Sequence, residues 1–88
     1  MYIVELSQRA QDFLNKLDTD LKERIEKRLK NLENNPVPND AKFIGRIDKE
    51  KLFRYRIGDY RALYILNEKD KIILITKIDK RPRVYNKD

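Results

Sequence analysis

Cysteine and histidine are both missing from the 88 residues. Without cysteine, neither disulfides nor thiolate metal sites can hold the chain together. Without histidine, the usual general base and the commonest metal ligand are gone. The carboxylates are scattered with no ligand spacing, so no metal and no cofactor is expected. No apolar run reaches the roughly 18 residues needed to span a bilayer, and the N-terminus lacks a signal-peptide pattern. A cytoplasmic protein with no membrane partner is therefore expected. Internal repeats and low-complexity tracts are absent too, and the length suits one small domain, 1–88, with a single modest core.

What the chain does have is charge, unevenly placed. The formal net charge is +6. Residues 1–40 hold 7 Lys and Arg against 8 Asp and Glu, whereas residues 41–88 hold 14 against 7. All of the excess therefore lies in the C-terminal half. A concentrated basic face attracts polyanions through counterion release, or an acidic protein through complementarity. A solvated, Lys/Glu-rich surface of a heat-adapted protein would also suit a charged fraction of 41%, but it does not account for the asymmetry.

Tyr2-Ile3-Val4-Glu5-Leu6 is short, β-branched and apolar, which predicts a buried first strand. Ser7 is placed to cap a helix on which Ala10, Phe13, Leu14 and Leu17 form a narrow apolar stripe. Asp18-Thr19-Asp20 interrupts that helix and supplies the next N-cap. A longer helix then runs to about Asn34, with Leu21, Ile25, Leu29 and Leu32 on one face. Lys22, Arg24, Lys27, Arg28 and Lys30 alternate with Glu23, Glu26 and Glu33 on the rest, the pattern of an ordinary solvated surface. The short connection predicts an antiparallel helical hairpin.

Residues 34–40, with Pro36 and Pro38, end the second helix and form a loop. Residues 42–47 read as a weak strand or extended arm, and residues 48–51 as a turn. Strands follow at about 52–57 and 60–67, then a turn at 67–70. Lys71 to Ile78 is apolar on both faces and predicts a central strand. The expected fold is α+β: a β-α-α hairpin packed on one face of a mostly antiparallel sheet of four to five strands. The opposite face, or its rim, is left for a ligand.

The densest chemistry lies in Phe53-Arg54-Tyr55-Arg56-Ile57-Gly58-Asp59-Tyr60-Arg61. Two alternating runs flank the Gly58-Asp59 break, the signal of a β-hairpin or closely paired strands. Phe53, Tyr55 and Ile57 then share one face, and Arg54 and Arg56 the other. Three arginines on rigid strands can each meet phosphate oxygens two at a time. A second basic segment, Lys80-Arg81-Pro82-Arg83-Val84-Tyr85, follows at the C-terminus. Together they read as a site for an RNA backbone.

Four stretches, in order, resemble the RelE toxins, the mRNA-cleaving members of the RelE/ParE superfamily. They are Ser7-Gln8-Arg9-Ala10 to Leu14; Leu32-Glu33-Asn34-Asn35-Pro36; Arg54 through Tyr64; and Ile78-Asp79-Lys80-Arg81-Pro82-Arg83-Val84-Tyr85. The resemblance implies a RelE-like fold and a type II toxin that cuts mRNA in the ribosomal A site, an endoribonuclease. It also implies an acidic, RelB-like antitoxin that wraps and blocks the toxin, the pair binding operator DNA through the antitoxin. Carried onto this chain, the catalytic residues are Arg61, which stabilises the phosphate, Arg81 and Tyr85. Arg54 and Arg56 take the places of strand lysines in the best-studied members. Arginine stays protonated, so phosphate binding survives the exchange while a role as base does not carry over.

Cleavage through the 2′-OH needs alignment on phosphorus, relief of a proton and stabilisation of the phosphorane, and electrostatics can supply much of this. Arg61 would clamp the phosphate, and Arg81 would meet the developing charge or the leaving 5′-oxygen. Arg54, Arg56, Lys80 and Arg83 would add phosphate binding, and Tyr85 would stack on a base or reach the 2′-OH region. Lys80, Lys77 and Lys51 remain as bases, beside the ribosome and water. Structural roles compete: Tyr55, Tyr60 and Tyr64 as packing residues, Arg61 paired with Asp59 or Asp48, and Arg54 and Arg56 as edge-strand guards. Competing functions are a ParE-type toxin acting on DNA gyrase, an antitoxin-binding corepressor without catalysis, and a general single-strand RNA binder.

Overall fold

The computed structural model describes residues 1–80. Within them the order is β1 (Ile3–Leu6), α1 (Gln8–Asn15), α2 (Thr19–Lys30), a 3-10 turn (Asn31–Glu33), then β2 (Ala41–Ile47), β3 (Glu50–Ile57), β4 (Tyr60–Asn67) and β5 (Ile72–Lys80). The strands form one sheet in the order β1-β5-β4-β3-β2. β2 to β5 meander antiparallel, while β1 runs parallel to β5. The expected α+β layer is present, with two helices against a five-stranded, mostly antiparallel sheet among the described residues.

The helix boundaries follow their caps. The Ser7 hydroxyl accepts the Ala10 N–H at 3.1 Å, and Asp18 accepts the Leu21 N–H at 3.0 Å. Each satisfies an amide that the first helical turn cannot. Ser7 also donates to the Thr76 carbonyl at 2.9 Å. Thr76 is the extra residue of a β-bulge, where the β4–β5 register jumps from Leu63–Lys77 to Tyr64–Ile75. One side chain thus starts α1 and ties it to the irregular point of β5.

The core lies between the helices and one sheet face. Ala10, Leu14, Ile25, Leu29 and Leu32 meet Phe53, Tyr55, Ile57, Ala62, Tyr64, Leu66, Ile73, Ile75 and Ile78, all buried. Phe53 stacks on its cross-strand neighbour Tyr64 at 5.3 Å between centroids, and Tyr55 meets Tyr64 edge-on at 6.3 Å. Burial raises the Tyr64 hydroxyl well above the ordinary tyrosine range, and the charge of Tyr55 adds to the effect. That hydroxyl donates to the Pro36 carbonyl at 2.7 Å and so anchors the 34–40 loop to the core. The packing role of Tyr55 and Tyr64 is therefore the one observed.

Two expectations change. β1 is an edge strand, not a fully buried one: only β5 flanks it, and Ile3 is 60% exposed while Val4 and Leu6 pack partly buried against the core. The 48–51 turn is also shorter than its sequence suggests, with Glu50 already in β3. Asp48 and Lys49 alone close it, at φ of 49° and 74°. Two consecutive left-handed residues make the tight hairpin that matches strand twist, normally with glycine at the second position.

Replacing Lys49 by Gly should relieve this conformation and raise stability by about 0.5–1 kcal/mol in urea denaturation. Ser7→Ala, which loses both a cap and the bond to the bulge, should lower it by about 1–2 kcal/mol in the same assay.

Candidate phosphate-binding cleft

Alternation and register together build the site. On β3, Phe53, Tyr55 and Ile57 go into the core, which leaves Arg54 and Arg56 on the open face. On β4, Ala62, Tyr64 and Leu66 go inward, which leaves Arg61, Leu63 and Ile65 outward. The turn at Gly58-Asp59, with Gly58 at φ +59°, sets Arg56 directly opposite Arg61. On the other side β2 places Lys42 opposite Arg54. Directly opposed residues share a face and have Cβ atoms about 5 Å apart. Four cations therefore sit on one sheet face in two neighbouring pairs.

These residues surround a cleft of about 350 Å³, lined by Lys42, Arg54, Arg56 and Arg61 together with Asn39, Asp40, Ala41, Gly58 and Tyr60. Arg56 and Lys42 are exposed, while Arg54 and Arg61 are half-buried. Such guanidiniums, fixed on strands, suit the planar two-point recognition of phosphate oxygens. No cluster of carboxylates able to hold a metal occurs among the described residues.

Of the residues expected at the site, the sheet brings Arg54, Arg56 and Arg61 together. Lys80 is the last residue of β5, exposed and opposite Tyr60, and it is not among the cleft-lining residues. Arg81, Arg83 and Tyr85 lie outside the described residues. Of the lysines considered as bases, Lys51 pairs with Glu68 at 3.3 Å and sits five residues along β3 from Arg56, about 16 Å away. Lys77 stands opposite Leu63 on the open face, two residues along β5 from the Asp79 that faces Arg61, and it bonds Asp79 at 3.1 Å.

Lys42 was not legible as a site residue, since its own segment is a weak strand and only pairing with β3 brings it to Arg54. Arg28 was misread as ordinary helix surface. Its Nε donates to the Tyr55 hydroxyl at 3.3 Å, and that hydroxyl donates in turn to the Arg28 carbonyl at 3.2 Å. Its Nη2 donates to the Asp40 carboxylate at 2.8 Å and to the Arg56 carbonyl at 3.2 Å. The Tyr55 bond raises its pKa most; burial acts the other way, and Asp40 adds to the rise. Arg28 thus fastens the back of the cleft to α2.

Beyond the cleft the open face carries an apolar strip, with Lys77 opposite Leu63 and Asp79 opposite Arg61 on β5. Leu52 pairs with Ile65, which pairs with Leu74, and Ile72 pairs with Ile3. Phe43, Ile44 and Ile47 on the edge strand β2 are also exposed. No helix among the described residues is long and apolar enough to cross a membrane.

Residues 4–85 match the family model described as the ParE toxin of type II toxin-antitoxin systems, parDE. A Methanocaldococcus jannaschii protein carrying the toxin name RelE1 is 30% identical over 83 residues, spanning 93% of this chain and 92% of its own. The RelE–RelB complex of Pyrococcus horikoshii contains a chain that superposes with a TM-score of 0.83 at 33% identity, covering 93% of this chain and 97% of that one. Isolated Escherichia coli RelE shares the fold at a TM-score of 0.77 and 21% identity, covering 99% of this chain and 94% of its own. The chain belongs to the RelE/ParE family of toxins of type II toxin-antitoxin systems.

Proposed function

We propose that this toxin is a ribosome-dependent endoribonuclease that cuts mRNA in the A site. The observation that carries the reading is the gathering of Arg54, Arg56 and Arg61 with Lys42 around one cleft. The first three stand at the positions where the chain resembles the mRNA-cleaving RelE members. In the proposed step the 2′-oxygen attacks phosphorus and the bond to the 5′-oxygen breaks, leaving a 2′,3′-cyclic phosphate and a 5′-hydroxyl. The 2′-OH proton leaves to a base, and a proton goes to the departing oxygen.

Arg61 clamps the scissile phosphate, while Arg54, Arg56 and Lys42 hold its neighbours. Such preorganised charge stabilises the phosphorane with little reorganisation. Arg81 is assigned to the leaving oxygen, with Tyr85 on a flanking base and Lys80 and Arg83 as added phosphate contacts. Among the described cleft-lining residues Lys42 is the one amine, and so a candidate base. The ribosome and water are the other sources of a base. An acidic RelB-like antitoxin is the proposed cytoplasmic partner, supported by the P. horikoshii relative solved with RelB. Operator DNA would be reached through that antitoxin.

The match to the ParE model favours a second reading, a toxin acting on DNA gyrase. The charge arrangement weighs against it. Lys42, Arg54 and Arg56 line one cleft with Arg61, an arrangement suited to a polyanion, and Asp79 stands opposite Arg61 on β5.

In primer extension on a message undergoing translation, the wild type should give cuts confined to ribosome-occupied codons. Arg61→Ala should reduce them by about 10²–10³-fold, the cost of losing one such charge donor. Undiminished cutting would remove Arg61 from the mechanism, and an uncut message beside inhibited DNA supercoiling would favour the gyrase reading. Arg56→Thr, at an exposed position, should leave stability in urea denaturation within about 0.5 kcal/mol of the wild type. The same variant should flatten the salt dependence of single-strand RNA binding by about 0.7 in log–log slope.

A further inference from the structure

Among the described residues that line the cleft, Asp40 is the one with a carboxylate side chain. Its backbone continues the sheet, since the Arg56 N–H donates to the Asp40 carbonyl at 3.0 Å. Ala41 pairs with Tyr55 on the core side and Lys42 with Arg54 on the open side. Strand alternation would therefore aim the Asp40 side chain at the face that carries Lys42, Arg54 and Arg56. There it would neutralise a cation, and an arriving phosphate would have to displace it.

The Asp40 carboxylate is paired with α2 instead. Its carboxylate accepts a 2.8 Å bond from Nη2 of Arg28, which rises from α2 on the other side of the sheet. Arg28 does not hold it by charge alone. Its guanidinium is set by the Tyr55 hydroxyl at 3.3 Å and the Arg56 carbonyl at 3.2 Å, and it lies 5.3 Å from the Tyr55 ring centroid. Tyr55 is itself 2% exposed, so the anchor belongs to the core. The ion pair is partly exposed and contributes little to stability as such. Its effect is on where a negative charge sits.

We propose that Arg28 is a positioning residue for the cleft: it draws the Asp40 carboxylate round the sheet rim onto α2 and so leaves Lys42, Arg54 and Arg56 open to a phosphodiester. RNA as the ligand rests on the function proposed above. The electrostatic device does not, because any polyanion entering the cleft would sense it.

The test is a double-mutant cycle read by binding. Wild type, Arg28→Gln, Asp40→Asn and the double variant are titrated with two probes, tripolyphosphate and a short fluorescein-labelled single-stranded RNA, and each protein's thermal unfolding is recorded. Arg28→Gln should weaken both probes on the order of fivefold, as a freed carboxylate competes for the cations. Asp40→Asn should bind both probes no more weakly than the wild type, and in the Arg28→Gln background it should restore most of the loss. Arg24→Gln, which removes the same charge one helical turn away, should weaken binding far less.

Additive effects of the two substitutions, or an Arg24→Gln loss as large as that of Arg28→Gln, would overturn the proposal. Should Arg28→Gln melt below the assay temperature, Arg28→Lys is read in its place. It keeps the charge but cannot span the Tyr55, Asp40 and Arg56 contacts together, so partial loss with partial rescue is expected; wild-type binding without coupling overturns the idea. Coupling seen with tripolyphosphate in a protein that ignores RNA would sink the nuclease reading and leave Arg28 its role. RNA binding without coupling would do the reverse, and a wild type that takes up neither probe overturns both.

Discussion

The register between β3 and β4 is the constraint on which the rest of this structure depends. The two-residue turn at Gly58-Asp59 pairs Ile57 with Tyr60 and Arg56 with Arg61. Because side chains alternate, that one pairing decides every residue after it. Phe53, Tyr55, Ala62, Tyr64 and Leu66 go to the core, and Arg54, Arg56 and Arg61 go to the open face. A slip of one residue in one strand would turn its arginines into the core and its aromatics to solvent. Each unpaired buried charge would cost several kcal/mol, so the register tolerates no such slip. Core and cleft are two readings of a single hydrogen-bond ladder.

The helices do more than cover that core. Ser7 ties α1 to the bulge in β5, Tyr64 holds the 34–40 loop through the Pro36 carbonyl, and Arg28 binds α2 to both Asp40 and the end of β3. Each connection joins segments far apart in sequence, and the last two converge on the loop that forms one wall of the cleft. The wall is therefore positioned from the core side, where packing is tight, and not from the solvent side. This division would suit the proposed RNA-binding role, in which the open face has to stay clear.

The family shares this plan across wide sequence distance, as the 21% identity of E. coli RelE illustrates. At such distances the likeness speaks for the fold, and the chemistry has to be argued from the residues present. Here those residues are mainly arginines. They keep their charge at any physiological pH, which makes them dependable phosphate ligands and poor proton acceptors. The cleft is accordingly well supplied for electrostatic stabilisation and sparsely supplied for acid–base work. For the proposed nuclease, that balance would call for alignment supplied by a larger particle more than for action alone on free RNA.

The local features of this protein were written in its sequence. Both N-caps, the apolar stripes of the helices, the inward aromatics and outward arginines of β3, and the concentration of positive charge in the second half all depend on residues within one or two turns of each other. The RelE-like stretches could be recognised for the same reason. Pairing between distant segments was not legible. Nothing local distinguishes β1 as a parallel edge strand on β5, since its composition suits a buried strand equally well. Lys42 becomes a cleft residue only because β2 pairs with β3, and Arg28 leaves the solvated helix surface only because the Tyr55 hydroxyl and Asp40 meet it there. Sequence pattern determined which residues each element would bury or expose, because helix and strand periods are short-range. The tertiary structure decided which exposed charges became neighbours, because that depends on sheet order and on contacts spanning 12 to 28 residues.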